Sequence, residues 1–204
     1  MAVPVAGALI LGWLFAVVFF RFNRIWLPYY ILAAVGLAFS VIFIGRATFI
    51  EPALQVAVSR AVHYTSSLLG IPTQTFEAAP GSLLVLVVSQ DIGWTMLQVT
   101  VESSGLLEAG VLSGMLAFYP GFSPRRRLFF VSAGLIATFV ANVVRLTTIV
   151  VLLHFAGKGS LLISHTIVGR AVFFAMVVLT YWFVITYPTL RTIRRKLDRE
   201  VAVG

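Results

Sequence analysis

Residues 128–153 read LFFVSAGLIATFVANVVRLTTIVVLL. This run is long and apolar, with a single formal charge, Arg145, and a single amide, Asn142. A membrane helix needs about 20 apolar residues to cross roughly 30 Å of hydrocarbon. The stretch therefore predicts a bilayer-spanning helix that carries a guanidinium inside it. Working outward, 3–20, 27–45, 104–119 and 166–187 follow the same pattern. The segment 104–119 is short and holds Glu108. The segment 3–20 has no basic residue in front and no small-residue cleavage site behind, so it reads as a retained helix rather than a signal peptide. The expected fold class is all-α: a polytopic transmembrane bundle of about five spans forming one integral domain over 1–204.

Composition agrees with that reading. Of 204 residues, 60% are apolar and 11% charged, against about 25% charged in an ordinary soluble domain. Such hydrophobicity also excludes disorder. There is no cysteine, hence no disulfide framework and no thiolate zinc site. The net charge of +8 would suit nucleic acid if the basic residues were spread evenly, but ten of the fifteen Lys/Arg sit on one side of the spans. They are Arg21, Arg24, Arg125 to Arg127, Arg191, Arg194, Arg195, Lys196 and Arg199. The positive-inside rule then predicts a cytoplasmic C-terminus, with a basic tail over 188–204. No nucleic-acid partner is needed to explain the charge.

Residues 47–102 form the longest polar insertion, expected on the extracytoplasmic side. Glu51-Pro52 opens, and Gly70-Ile71-Pro72 closes, a helical pattern. Leu54, Val58, Ala61, Val62, Thr65, Leu68 and Leu69 fall toward an apolar face. Gln55, Ser59, His63, Ser66 and Ser67 fall toward a polar one. This predicts an amphipathic helix at the membrane interface or capping the bundle, with His63 solvated. Leu83 to Val88, a turn at Gln90-Asp91-Ile92-Gly93, and Thr95 to Val101 predict a short β-hairpin that leads into Glu102-Ser103-Ser104-Gly105.

Ionisable groups in or beside hydrocarbon are costly, and each is a functional candidate. Arg145 lies about eight residues, or roughly 12 Å, below the outer end of its span. Asn142 is three residues away on the same face and is placed to orient it. His165 opens the last span, and Glu102 and Ser103 precede the third. A nucleophile position, a base and a fixed cation are what acyl transfer requires. Plainer roles exist for each. Ser103 and Ser104 suit a helix N-cap, and His165 suits an interface. A structural Arg145 still needs a partner for its charge. Glu108 is expected to pair with a neighbour such as Arg170, which itself reads, with His154, as a packing or interface residue.

Three motifs stand in order: Glu102-Ser103-Ser104-Gly105 at the start of one span, Asn142-Val143-Val144-Arg145 in the next, and His165 to Gly169 at the start of the last. Together with the basic loop Arg125 to Arg127, this resembles the exosortase/archaeosortase family of membrane-embedded cysteine transpeptidases, well over 95–187 and in hydropathy alone before that. The resemblance implies an enzyme that recognises a C-terminal tripartite signal: a short motif, a hydrophobic helix and a basic cluster. It would cleave near the motif on the extracytoplasmic side and pass the new C-terminus to an acceptor, often a lipid. It assigns the nucleophile to position 103, thiolate or transition-state stabilisation to Arg145 and acid/base work to His165, with Glu102, Ser104 and Asn142 in support. It implies no metal and no organic cofactor.

The chain departs from the family pattern at one point: the cysteine position holds Ser103. A thiol of pKa about 8.5 is partly ionised near neutrality, whereas a hydroxyl needs strong general-base help. The chain as written is therefore expected to be weak or inactive. The serine reads as an introduced replacement that traps substrate, favoured by the otherwise intact motifs, or as a natural variant. One rival reading is an intramembrane serine protease with a Ser103/His165 dyad, although the Gly-x-Ser-x pattern is missing. Another is a non-enzymatic membrane scaffold, which would show charged groups paired near the midplane.

Overall fold

The computed structural model describes residues 2–78, 81–86, 95–119 and 121–201. Helices α1 (Ala2–Phe22), α2 (Trp26–Ala47) and α3 (Ile50–Leu68) come first. Strands β1 (Thr73–Ala78), β2 (Gly81–Leu86) and β3 (Thr95–Val99) follow. Then come α4 (Val101–Ser104), α5 (Leu106–Ala117) and α6 (Pro124–Ala156). The last stretch runs from α7 (Leu161–Ile163) through a π-helical turn over Ser164–Val168 into α8 (Gly169–Tyr181). A second π-helical turn over Trp182–Thr186 joins α8 to α9 (Tyr187–Val201).

Among the described residues three helices are long and apolar enough to cross a membrane: Trp26–Ala47, Pro124–Ala156 and Leu161–Arg191. The chain is thus an all-α membrane bundle. Shorter apolar stretches lie at Ile10–Phe22 in α1 and at Leu106–Ala117. The expected third span is corrected here. It is a 12-residue helix, about 18 Å long, which falls short of the hydrocarbon thickness. Gly105 breaks the run at its start, and the chain turns at Phe118. Large apolar side chains on the outside, such as Phe15, Phe43, Leu162 and Phe174, are what lipid-facing surfaces require and what a water-soluble domain avoids.

Small residues explain why α5 is held although it is short. A methyl group on Gly114 would collide with the Ala34 carbonyl oxygen, and one on Gly110 would approach the Ala38 carbonyl to 3.1 Å. The backbones of α2 and α5 therefore meet directly, as small-xxx-small pairs allow in membranes. Trp13 Nε1 donates to the Leu32 carbonyl at 2.8 Å and ties α1 to α2.

The insertion differs from the expected hairpin by one strand. It is an antiparallel sheet in the order β1-β2-β3, with Thr73 opposite Leu86 and Ser82 opposite Val99. The β2–β3 pairing matches the expected hairpin, and the expected turn Gln90 to Gly93 lies outside the described residues. β1 (TQTFEA) is polar enough to read as loop. The polarity of α3 is also partly reversed. Gln55, Ser59 and Ser66 are buried together with Val58 and Val62, while Leu68 and Leu69 are exposed. The helix is roofed by the sheet and floored by α6, so tertiary packing overrides its amphipathic pattern. Val58 and Val62 join Leu97 and Val99 of β3 and Leu146, Ile149, Val150 and Leu153 of α6 in one core cluster. His63 is half-buried, and its Nδ1 lies 2.7 Å from Thr73 Oγ1, pinning α3 to β1.

Candidate active site

Position 103 is set by a broken helix. α4 is only four residues long because Gly105 adopts φ 79° and ψ 6°, a left-handed conformation that costs other L-residues energy. Ser104 holds this break: its Oγ donates to the Val101 carbonyl at 2.7 Å and accepts from the Leu106 N–H at 3.2 Å. The two serines therefore have different tasks. Ser104 caps, whereas the Ser103 hydroxyl has no hydrogen-bond partner among the described residues, although the residue is buried.

α6 presents a buried polar stripe at helical spacing: Thr138, Asn142 and Arg145. Asn142 is fully buried and donates from Nδ2 to the Ser103 carbonyl at 2.5 Å. This bond joins the first two motifs across 39 residues of sequence. Arg145 is 8% exposed, and its buried Nε has no partner. Its guanidinium lies over the Phe173 ring of α8 at 5.4 Å, a cation–π contact that partly replaces hydration. Arg145 forms no ion pair within 4 Å among the described residues. A buried guanidinium without an ion pair is a candidate anion-binding group.

His165 sits in the first π-helical turn, a feature that recurs at functional sites. This turn packs on α6. A methyl at Gly169 would come within 2.7 Å of Ile149 Cδ1, so the glycine of the third motif permits close approach of the last helix to α6. The imidazole is half-buried and lies within electrostatic reach of Arg145, Arg170 and Glu102. Ser103 and His165 share no hydrogen bond among the described residues.

A cavity of about 370 Å³ opens beside these groups, lined by Glu102, Glu108, Arg145, Arg170 and apolar residues of α5 and α8. It shares Leu107, Glu108, Phe173 and Val177 with a second cavity of about 240 Å³ that reaches Thr180 and Tyr181. The two make one groove between α5 and α8, polar at the Arg145 end and apolar beyond it. Ser103 and His165 do not line it; Arg145 and Glu102 carry the contact between groove and motifs. The structure thus joins Ser103 to Asn142 between α4 and α6, with Arg145 one turn further along α6, and places Arg145 and Glu102 on the cavity wall.

Two groove residues had been given other tasks by the sequence. Arg170, exposed as an interface residue can be, also lines the cavity, and Glu108 has no ion pair among the described residues, its buried Oε2 being without a partner. Among the described residues no cluster of His, Asp and Glu could hold a metal ion.

A family model described as transmembrane exosortase matches residues 2–183. No curated protein and no solved structure gives a match.

Proposed function

The chain belongs to the transmembrane exosortase family and is a membrane-embedded sorting enzyme, and from that membership we propose the reaction and the residues that perform it. The substrate is a membrane protein with a C-terminal sorting signal. Its hydrophobic helix lies in the groove between α5 and α8, and its scissile peptide bond sits at the Arg145 end. The observation that carries this assignment is the Asn142 bond to the Ser103 carbonyl beside an unpaired, buried Arg145.

The nucleophile at position 103 attacks the scissile carbonyl carbon, and its proton passes to His165. The oxyanion that forms is stabilised by Arg145, where a preorganised cation in a water-poor site is worth most. The C–N bond then breaks as His165 returns the proton to the leaving amine. An acceptor nucleophile, for which a lipid is the proposed source, gives its proton to His165 and attacks the acyl-enzyme, and position 103 leaves taking that proton back from His165. Glu102, Ser104 and Asn142 support the arrangement: a wall carboxylate, the cap of the helix break and the orienting amide. The site faces the extracytoplasmic side and the C-terminus the cytoplasm, within one integral domain with an insertion over 47–102 and a basic tail over 188–204.

With serine at position 103 the first step is slow, because no described residue in hydrogen-bond range activates the hydroxyl. The test is Ser103→Cys, co-expressed with a protein carrying a C-terminal sorting signal. Cleavage should appear or rise strongly, and Arg145→Ala or His165→Ala in that background should abolish it. Cleavage by the serine protein that is blocked by a serine-directed phosphonate, with none from Ser103→Cys, would instead favour a serine dyad.

A further inference from the structure

A larger cavity, about 530 Å³, lies far from the site just described. Its walls come from the start of α6, with Arg125, Arg126 and Phe129, from the second π-helical turn, with Phe183, and from the start of α9, with Tyr187 and Arg191. Twenty residues of continuous helix separate Arg125 from Arg145, about 30 Å along the axis, which is the thickness of a bilayer's hydrocarbon core. The two cavities therefore belong to opposite membrane surfaces.

The geometry points to a site for the phosphate-bearing headgroup of an anionic membrane lipid. Three guanidiniums line one cavity, and none has an ion pair or hydrogen bond among the described residues. Two other arginines at this end are engaged by the protein. Arg21 donates to the Tyr29 hydroxyl at 3.1 Å and lies over that ring, and Arg127 donates to the Tyr119 carbonyl at 3.3 Å. Three unengaged cations thus share one concavity, whereas Arg24 and Arg194 at the same end lie outside it. They repel one another across it, and the positive end of the α6 dipole adds to that repulsion. An anion between them removes the penalty, and guanidinium forks match phosphate oxygens.

The rest of the wall identifies the source of the anion as a lipid. Phe129 and Phe183 are 66% and 63% exposed, and they continue the lipid-facing surface below the arginines. Behind them Phe122 and Phe130 stack at 4.8 Å. A free phosphate would occupy only the charged rim and leave the aromatic wall bare, whereas a glycerophospholipid fills both parts. Held there, it ties the start of α6 to the start of α9.

The test uses the full chain purified in detergent, with dioleoyl phosphatidylglycerol as the probe. Native mass spectrometry should show saturable retention of one lipid, and dioleoyl phosphatidylcholine should be retained far less. Each arginine near an anionic headgroup is worth about a fivefold change in affinity. The triple variant Arg125→Ala/Arg126→Ala/Arg191→Ala should therefore lose retention by well over tenfold. The triple variant Arg21→Ala/Arg24→Ala/Arg194→Ala removes the same charge from the same end and should retain the lipid. If the cavity triple does not fold, Arg191→Ala alone should show the loss of about fivefold. Equal retention of phosphatidylcholine would overturn the proposal, and so would equal loss in both triple variants. Displacement of the lipid by millimolar inorganic phosphate, with the same dependence on the cavity arginines, would assign the site to a free anion and overturn the lipid claim.

Discussion

Replacing Asn142 tests the bond that joins two of the three motifs. Its Nδ2 donates to the Ser103 carbonyl, while its Oδ1 is buried without a partner. Asn142→Ala removes the donor and leaves a buried carbonyl unsatisfied, a cost of about 1–3 kcal/mol in water-soluble proteins. Side-chain hydrogen bonds within membranes average nearer 0.6 kcal/mol. The alanine also relieves the unpaired Oδ1, so a net loss of about 1 kcal/mol is expected. Asn142→Asp is nearly isosteric and sharper. An ionised carboxylate would put an acceptor against the Ser103 carbonyl and a charge in a fully buried position, at a cost of about 3 kcal/mol. The order of stability should therefore be parent, alanine, aspartate, although aspartate changes the shape least. The assay is reversible unfolding of the full chain in mixed micelles, followed by tryptophan fluorescence. The sign of the pH effect follows from the chemistry. A protonated carboxyl donates to the carbonyl and an ionised one does not, so the aspartate deficit should shrink as pH falls. An Asn142→Asp protein within about 0.5 kcal/mol of the parent at neutral pH would refute the reasoning, since the bond would then not hold α4 to α6.

Arg145→Leu should cost little stability, within about 1 kcal/mol, because it removes a buried charge that has no ion pair. In the Ser103→Cys background it should nonetheless lower cleavage by at least about 100-fold, and a stability loss as large as the activity loss would mark the residue as structural. Gly114→Leu should destabilise the chain by about 3 kcal/mol or prevent folding, because α2 and α5 have no room for a side chain there; unfolding in mixed micelles reads it. Thr73→Ala should speed amide hydrogen exchange in β1 while leaving α6 unchanged, since the His63–Thr73 contact fastens the sheet to α3 alone.

The hydrophobic runs and the asymmetry of basic residues made the membrane bundle legible in the sequence, because lipid imposes length and apolarity on each spanning helix directly. The three motifs were legible too, since each carries an ionisable or hydroxyl group beside an apolar run. Their physical connection was not. The Asn142 bond to the Ser103 carbonyl crosses 39 residues and depends on where Gly105 breaks the chain. The division of labour between Ser103 and Ser104 was likewise hidden, since either serine suits a cap by composition.

The sequence by itself determined the solvent, the fold class and the family motifs, because these follow from local hydropathy and residue type. Tertiary structure alone decided which face of α3 is buried and which small residues of α2 and α5 meet backbone to backbone. The reason is the same in each case. Burial by a sheet and close backbone contact through Gly114 arise between segments, and no local pattern encodes them.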